Sequence, residues 1–172
     1  MICAALPMGM RYLRHERHTD MRGSFGRLWC ANDFSQAGLD FQPVQASLSV
    51  TAVAGTLRGM HWQASPFAET KVLQVIRGRI LDAVVSLDPV LGLPRLVMRE
   101  LGPGEGFFIP TGLAHGFLTL TDDVELLYMM DRSYQPSAAC GARYDDPALA
   151  IPWPQEPRII SDKDRNWPLL PR

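Results

Sequence analysis

Gly104-Glu105-Gly106-Phe107-Phe108-Ile109-Pro110-Thr111-Gly112-Leu113-Ala114-His115 sets a glycine, a proline, a second glycine and a histidine at the spacing G-x5-P-x-G-x2-H. Gly106 to Ile109 reads as a short strand, Pro110-Thr111-Gly112 as a turn, and Gly116 to Thr119 as the next strand. Upstream, Thr56-Leu57-Arg58-Gly59-Met60-His61-Trp62-Gln63 embeds a second histidine in a β-type segment. Alternate side chains of a strand point to opposite faces, so His61 and Gln63 share a face. Arg58 lies on the other unless the backbone bulges at Gly59. Two histidines from distant strands can therefore meet inside one barrel.

The rest of the chain extends this reading. Ser47 to Ala54, Lys71 to Ile76, Arg79 to Ser86, Arg95 to Glu100 and Glu125 to Met130 are further short β-rich runs broken by Gly and Pro. Strands this short at this spacing predict an all-β antiparallel sandwich or barrel. A two-residue hairpin at Arg77-Gly78 would set Val75 against Ile80 and put Lys71 and Asp82 on one face of the sheet. Helix signals are confined to Asn32 to Gly38, where Asn32 or Asp33 would cap a turn, and to the region after Pro147. The Pro-rich C-terminal tail, with its Pro152-Trp153-Pro154 bracket, is expected to wrap the barrel in extended form.

Composition narrows the function classes. With 172 residues, 47% of them hydrophobic, the chain fits one domain spanning 1–172 with a substantial core. A net charge of −1 with no like-charge run excludes a basic field for nucleic acid. Cys3, Cys30 and Cys140 are odd in number and widely spaced, which suits free thiols in a cytoplasm rather than a disulfide framework. No apolar run has membrane length, and Met1 to Met10 lacks a basic n-region and soon meets Arg11, Arg14 and Arg17, so a soluble, cytoplasmic protein is expected.

The Gly104–His115 spacing fits the second cupin motif and predicts a small double-sheet, jelly-roll barrel. The first motif is half present. In place of His-x-His stands His61-Trp62-Gln63, and the acid that should follow is Glu69, next but one to the cation Lys71. A divalent metal wants three or four well-placed N or O ligands. Two histidines and an amide beside an ammonium favour a site without metal or cofactor.

Inward His, Lys, Tyr and Asp in such a barrel suit removal of a proton next to a carbonyl. That chemistry needs a base and a group that stabilises the developing enolate oxygen. His61 has the intrinsic pKa for the base, and Lys71 is the candidate cation. Asp82 or Asp164 is the candidate partner of the histidine, and Tyr128 the candidate acid for the opposite face.

These residues resemble a known family, the nucleotide-sugar 3,5-epimerases typified by dTDP-4-dehydrorhamnose 3,5-epimerase. The likeness runs from Asp20 to about Leu169. It includes Asp20-Met21-Arg22-Gly23-Ser24-Phe25, Ser47-Leu48-Ser49, Leu57 to Gln63, Glu69-Thr70-Lys71-Val72, Gly78 to Asp82, Ile109 to Phe117, Tyr128 with Tyr134, Tyr144-Asp145-Asp146-Pro147 and Ser161-Asp162-Lys163-Asp164. The resemblance implies a metal-independent jelly-roll homodimer that inverts carbons flanking a 4-keto group of a nucleotide-diphosphate sugar. It implies His61 as base, Asp164 as its partner, Tyr128 as acid and Lys71 near the keto oxygen. It further implies Arg22, Arg58, His115 and Lys163 as substrate or diphosphate contacts, Tyr134 as a stacking group, and Phe25, Arg27, Gln45 and Gln63 within the substrate-binding set.

The departures gather at the expected nucleotide end. Phe25-Gly26-Arg27 carries a cation where the family has an acid, Pro43-Val44-Gln45 replaces Gln-x-Asn, Ala139 replaces an acid, and Ser86-Leu87-Asp88 replaces Asp-Leu-Arg. CDP- or GDP-linked sugars, and inversion at one carbon only, therefore stay open. Alternative readings are a metal-dependent cupin using His61, His115 and Glu69, and a non-catalytic sugar-nucleotide-binding cupin. His15 and His18 read as solvent-exposed, Phe107, Phe108 and Phe117 as core, and Trp153 and Trp167 as packing for the tail.

Overall fold

The computed structural model describes residues 1–88 and 96–170. In chain order its strands are β1 (Ile2–Ala5), β2 (Arg11–Arg14), β3 (Arg17–Asp20), β4 (Gly23–Gly26), β5 (Gln45–Thr51), β6 (Thr56–Gln63), β7 (Lys71–Arg77) and β8 (Ile80–Ser86). They continue as β9 (Leu96–Leu101), β10 (Glu105–Ile109), β11 (Leu113–Thr119), β12 (Val124–Met130), β13 (Ala139–Gly141) and β14 (Ile159–Ile160). Two short α-helices, α1 (Ala31–Gln36) and α2 (Asp162–Arg165), and two 3₁₀ turns, Pro7–Gly9 and Pro136–Ala138, complete the regular structure of the described residues. Arg95, the first residue of one expected strand, lies outside the described residues.

Two sheets face each other. The first has the order β1-β2-β10-β7-β12-β5 and the second β13-β6-β11-β8-β9, with β14 added in parallel to β6. From β5 to β8 successive strands alternate between the sheets, and β10, β11 and β12 do the same. That is the expected all-β, jelly-roll, cupin-like architecture.

The Arg77-Gly78 hairpin does not form. β7 pairs with β10 and β12, whereas β8 pairs with β11 and β9. Gly78, at φ +77°, turns a corner from one sheet to the other, and a Cβ there would sit 2.7 Å from Val124 Cγ2. Lys71 and Asp82 consequently belong to opposite sheets. A tight turn specifies a reversal of direction, while the partner of each strand is chosen by which faces it must bury.

Between the sheets, Leu73, Val75, Ile80, Val84, Phe107, Phe117, Val124 and Leu126 form a fully buried core, each such side chain contributing about 1.5–3 kcal/mol of transfer free energy. The outer faces are covered as well. Phe34 of α1 packs with Leu13, Val72, Phe108 and Met129 on the first sheet, and Met60, Ala83, Val85 and Ala114 of the second meet Leu149 and Trp153. β11 is buried along its whole length, on both faces.

Some local expectations shift. α1 begins after Cys30, so Asn32 and Asp33 lie inside it rather than capping it. The second helix falls in the region after Pro147, at Asp162, where Ser161 Oγ accepts the Asp164 N–H. His15 is 7% exposed, not solvated: its Nδ1 lies 2.9 Å from Arg27 O at the root of the β3–β4 arm. The three phenylalanines are core. Trp167 lies over Gly141, where a Cβ would come within 2.1 Å of the indole, and Trp153 donates Nε1–H to Tyr144 O.

Candidate active site

At one end of the barrel the apolar core gives way to a cavity of about 550 Å³. His61 of β6 stands directly opposite His115 of β11, and Arg58 opposite Phe117. Three residue steps on β6 thus span two on β11, which is a bulge at Gly59. The extra residue reverses the alternation and brings Arg58 onto the same cavity face as His61. Gly59 has φ +133°, and a Cβ there would fall 2.5 Å from Gly116 Cα. Only glycine fits where the two backbones cross.

His61 Nε2 lies 2.6 Å from Asp164 Oδ1, and Asp164 Oδ2 accepts the Gly59 N–H at 3.2 Å. The carboxylate is buried while the imidazole is 41% exposed. Burial pushes the Asp164 carboxyl up, but the hydrogen bond and charge of His61, with the Gly59 N–H, hold it on balance below the usual aspartate range. Of the two acids that the residue types left open for His61, Asp164 is the one bonded to it. Asp82 Oδ2 instead lies 2.8 Å from His115 Nε2 in a second, wholly buried pair. Burial raises the Asp82 carboxyl, with His115 opposing.

The opposite wall comes from the first sheet. Tyr128 of β12 sets its ring 6.0 Å from the His115 ring, edge to face. Burial, reinforced by the Asp82 charge and opposed by Arg58, raises the phenol well above its ordinary value near 10. Lys71 opens β7 on the neighbouring strand, its side chain only 11% exposed, with Nζ 3.1 Å from Glu69 Oε1. Arg58 donates Nε–H to Thr51 Oγ1 at 3.1 Å and Nη2–H to Val50 O at 3.2 Å. Lys163 of α2 also lines the cavity, with Nζ 5.3 Å from the Trp167 ring centroid.

His61, Lys71, Tyr128, Asp164, Arg58, His115 and Lys163 therefore share one cavity, and the remaining expected residues do not. Arg22 pairs with Asp20 on the β3–β4 arm, where Phe25 is 78% exposed. Arg27 faces Asp33. Gln45 accepts the Tyr134 N–H at 2.9 Å, and Tyr134 is half exposed away from the cavity lining. Gln63 is buried among protein partners, its amide engaged by Phe67 O, Glu69 Oε2 and the Gln135 N–H rather than turned to the cavity. Ser49, Thr56, Ile159 and Ser161 line the cavity without having been singled out. Ser49 and Ser161 carried a signal, the first within the Ser47-Leu48-Ser49 motif and the second as a hydroxyl three residues ahead of an acid at a helix start.

Among the described residues no group of three or more His, Cys, Asp or Glu side chains is arranged to hold a metal ion. Each cavity histidine is paired with a carboxylate. The arrangement offers a base, a cation and a phenol around one space, with an arginine and a lysine at its edge.

The family model for dTDP-4-dehydrorhamnose 3,5-epimerase matches residues 7–172. The chain is similar to the dTDP-4-dehydrorhamnose 3,5-epimerase of Methanothermobacter thermautotrophicus, 38% identical over 165 residues covering 92% of this chain and 88% of that protein. It is 34% identical to the dTDP-4-dehydro-6-deoxyglucose 3-epimerase of Streptomyces bikiniensis over 159 residues, 89% of this chain and 80% of that one. Among solved structures, dTDP-4-dehydrorhamnose 3,5-epimerase from Bacillus anthracis with TDP and PPi bound superimposes with a TM-score of 0.87 at 35% identity, covering 94% of each chain.

Proposed function

The chain belongs to the dTDP-4-dehydrorhamnose 3,5-epimerase family, and from that membership we propose how its own residues perform the reaction. It is a sugar epimerase of deoxysugar biosynthesis that inverts carbons beside the ketone of a nucleotide-diphosphate-linked 4-keto-6-deoxysugar. Its carrier is dTDP, the nucleotide named for the relatives on both sides of the 3,5- and 3-epimerase division.

His61 is the base. With Nε2 held by Asp164, Nδ1 takes the proton from carbon as the C–H electron pair forms the enolate C=C bond and the C=O π pair moves onto the oxygen. Asp164 fixes the ring and stabilises the imidazolium. The Lys71 ammonium faces the oxygen on which charge develops. Tyr128, on the opposite sheet, returns a proton to the other face of the carbon, and return from the other face is inversion. Its raised pKa suits a donor that stays protonated at neutral pH. Arg58, His115 and Lys163 suit the diphosphate. The observation that carries this reading is the pair of walls: His61 of the second sheet, bonded to Asp164 of α2, faces Lys71 and Tyr128 of the first sheet across one cavity.

The working form is a homodimer in a reducing cytoplasm. In support, β5 is a sheet edge with Leu48 and Val50 both more than half exposed, Met21 and Phe25 stand bare on the arm, and Cys3, Cys30 and Cys140 are free. The arm residues Arg22 and Phe25 would then meet the partner's substrate.

Incubation with a dTDP-4-keto-6-deoxysugar in D2O tests the assignment. Deuterium should enter at the carbons flanking the ketone, and His61→Ala should abolish entry in a protein that still folds, its melting temperature lowered by the loss of the Asp164 bond. A His61→Ala protein that exchanges at the normal rate would falsify the role of the base.

A further inference from the structure

Gln63, Glu69 and Lys71 form a buried chain of hydrogen bonds that starts in the cavity and ends on a loop outside it. Glu69 Oε1 accepts from Lys71 Nζ at 3.1 Å, and Glu69 Oε2 accepts from Gln63 Nε2 at 2.7 Å. Gln63 Nε2 also donates to Phe67 O at 3.1 Å, while Gln63 Oε1 accepts the Gln135 N–H at 2.7 Å. The next residue back, Tyr134, donates its N–H to Gln45 Oε1. Gln63 is 4% exposed and the Glu69 side chain 8%.

A charge meant to meet a developing oxyanion must be in place before the reaction begins. Lysine is poorly suited to this by itself, since its ammonium rides on a flexible four-carbon stem. Glu69 supplies the missing constraint through a charge-assisted bond, and its second oxygen is in turn held by Gln63. A buried carboxylate this closely paired has nowhere else to go.

We propose that Glu69 is the positioning residue of the Lys71 ammonium, and that Gln63, gripping Glu69 with its nitrogen and the Tyr134–Gln135 backbone with its oxygen, ties that ammonium to the loop. Loop placement and cation placement then move together. This rests on the reading of Lys71 as the group that faces the keto oxygen.

Kinetics of Lys71→Met, Glu69→Ala, Glu69→Gln and Gln63→Met on a dTDP-4-keto-6-deoxysugar, with melting curves, test it. Glu69→Ala should lower kcat about 10- to 100-fold, the cost of a misplaced group, and change KM by less than about 3-fold. Glu69→Gln keeps an acceptor for Lys71 but turns an NH2 donor toward Gln63 Nε2, so it should recover part of the kcat lost in Glu69→Ala. Gln63→Met, similar in volume but without hydrogen bonds, should lower kcat as Glu69→Ala does. Wild-type kinetics in Lys71→Met would remove the premise. An inactive Lys71→Met beside wild-type kcat in Glu69→Ala would overturn the inference alone, as would no recovery in Glu69→Gln. Should Gln63→Met fail to fold, the comparison of the two Glu69 variants still decides the positioning role.

Discussion

His61 and Asp164 stand 103 residues apart in sequence and 2.6 Å apart in space. The carboxylate is carried on a four-residue helix whose first turn is capped by Ser161 and whose neighbour Trp167 packs on Gly141. The dyad is thus assembled by the chain's last segment closing on its sixth strand.

Asp164→Asn should lower kcat about 10²- to 10⁴-fold, since the amide cannot stabilise the imidazolium. It should also change acid stability. The folded carboxyl titrates below its unfolded value of about 3.9, so its contribution is present above that value and lost as pH falls through the lower folded one. Denaturation measured across the acid range should show that slope flattened in the variant; an unchanged slope would mean that another carboxylate carries it.

Tyr128→Phe should separate two halves of the reaction. The base is untouched, so deuterium still enters at the carbon beside the ketone, whereas delivery to the opposite face is lost and inverted product falls by about 10²-fold or more. Mass spectrometry reads the first and NMR of the sugar the second. Full inversion by this variant would assign the acid to another group.

Gly59→Ala should destabilise the protein by about 1–3 kcal/mol or more, because the added carbon meets the Gly116 backbone and φ is positive. If it folds, Arg58 should leave the cavity face and KM should rise more than kcat falls. A melting temperature equal to wild type would show that the strand crossing yields easily.

Leu48→Glu with Val50→Glu should give a monomer by light scattering. Both side chains are already more than half exposed on an edge strand, so folding of the single chain should be unaffected. A wild-type protein that is itself monomeric would remove the homodimer and with it any role for the arm in a partner's site.

Much of the barrel was legible because strand formation is local. Lys71 to Ile76 and Glu125 to Met130 lie within one or two residues of β7 and β12. Pairing was not legible at Arg77-Gly78: a Gly-containing turn looks the same whether it closes a hairpin or carries the chain between sheets. His15 illustrates the same limit for burial. Its charged neighbours Arg14, Glu16 and Arg17 suggest solvent, yet its ring is covered where the arm returns to the sheet.

The residue types and spacings by themselves determined a jelly-roll barrel with an imidazole, an ammonium and a phenol available, and the resemblance of its motifs to the epimerase family implied their use. Alternation, turn chemistry and the Gly-Pro-Gly-His spacing are properties of neighbouring residues. Only the tertiary structure decided that Asp164 rather than Asp82 holds His61, that Arg58 turns inward, that Gln63 serves Glu69 instead of the cavity, and that Arg22 and Phe25 stand away from it. Each depends on a single bulge or on contacts between segments dozens of residues apart, and one residue of slip in a strand sends a side chain to the opposite face.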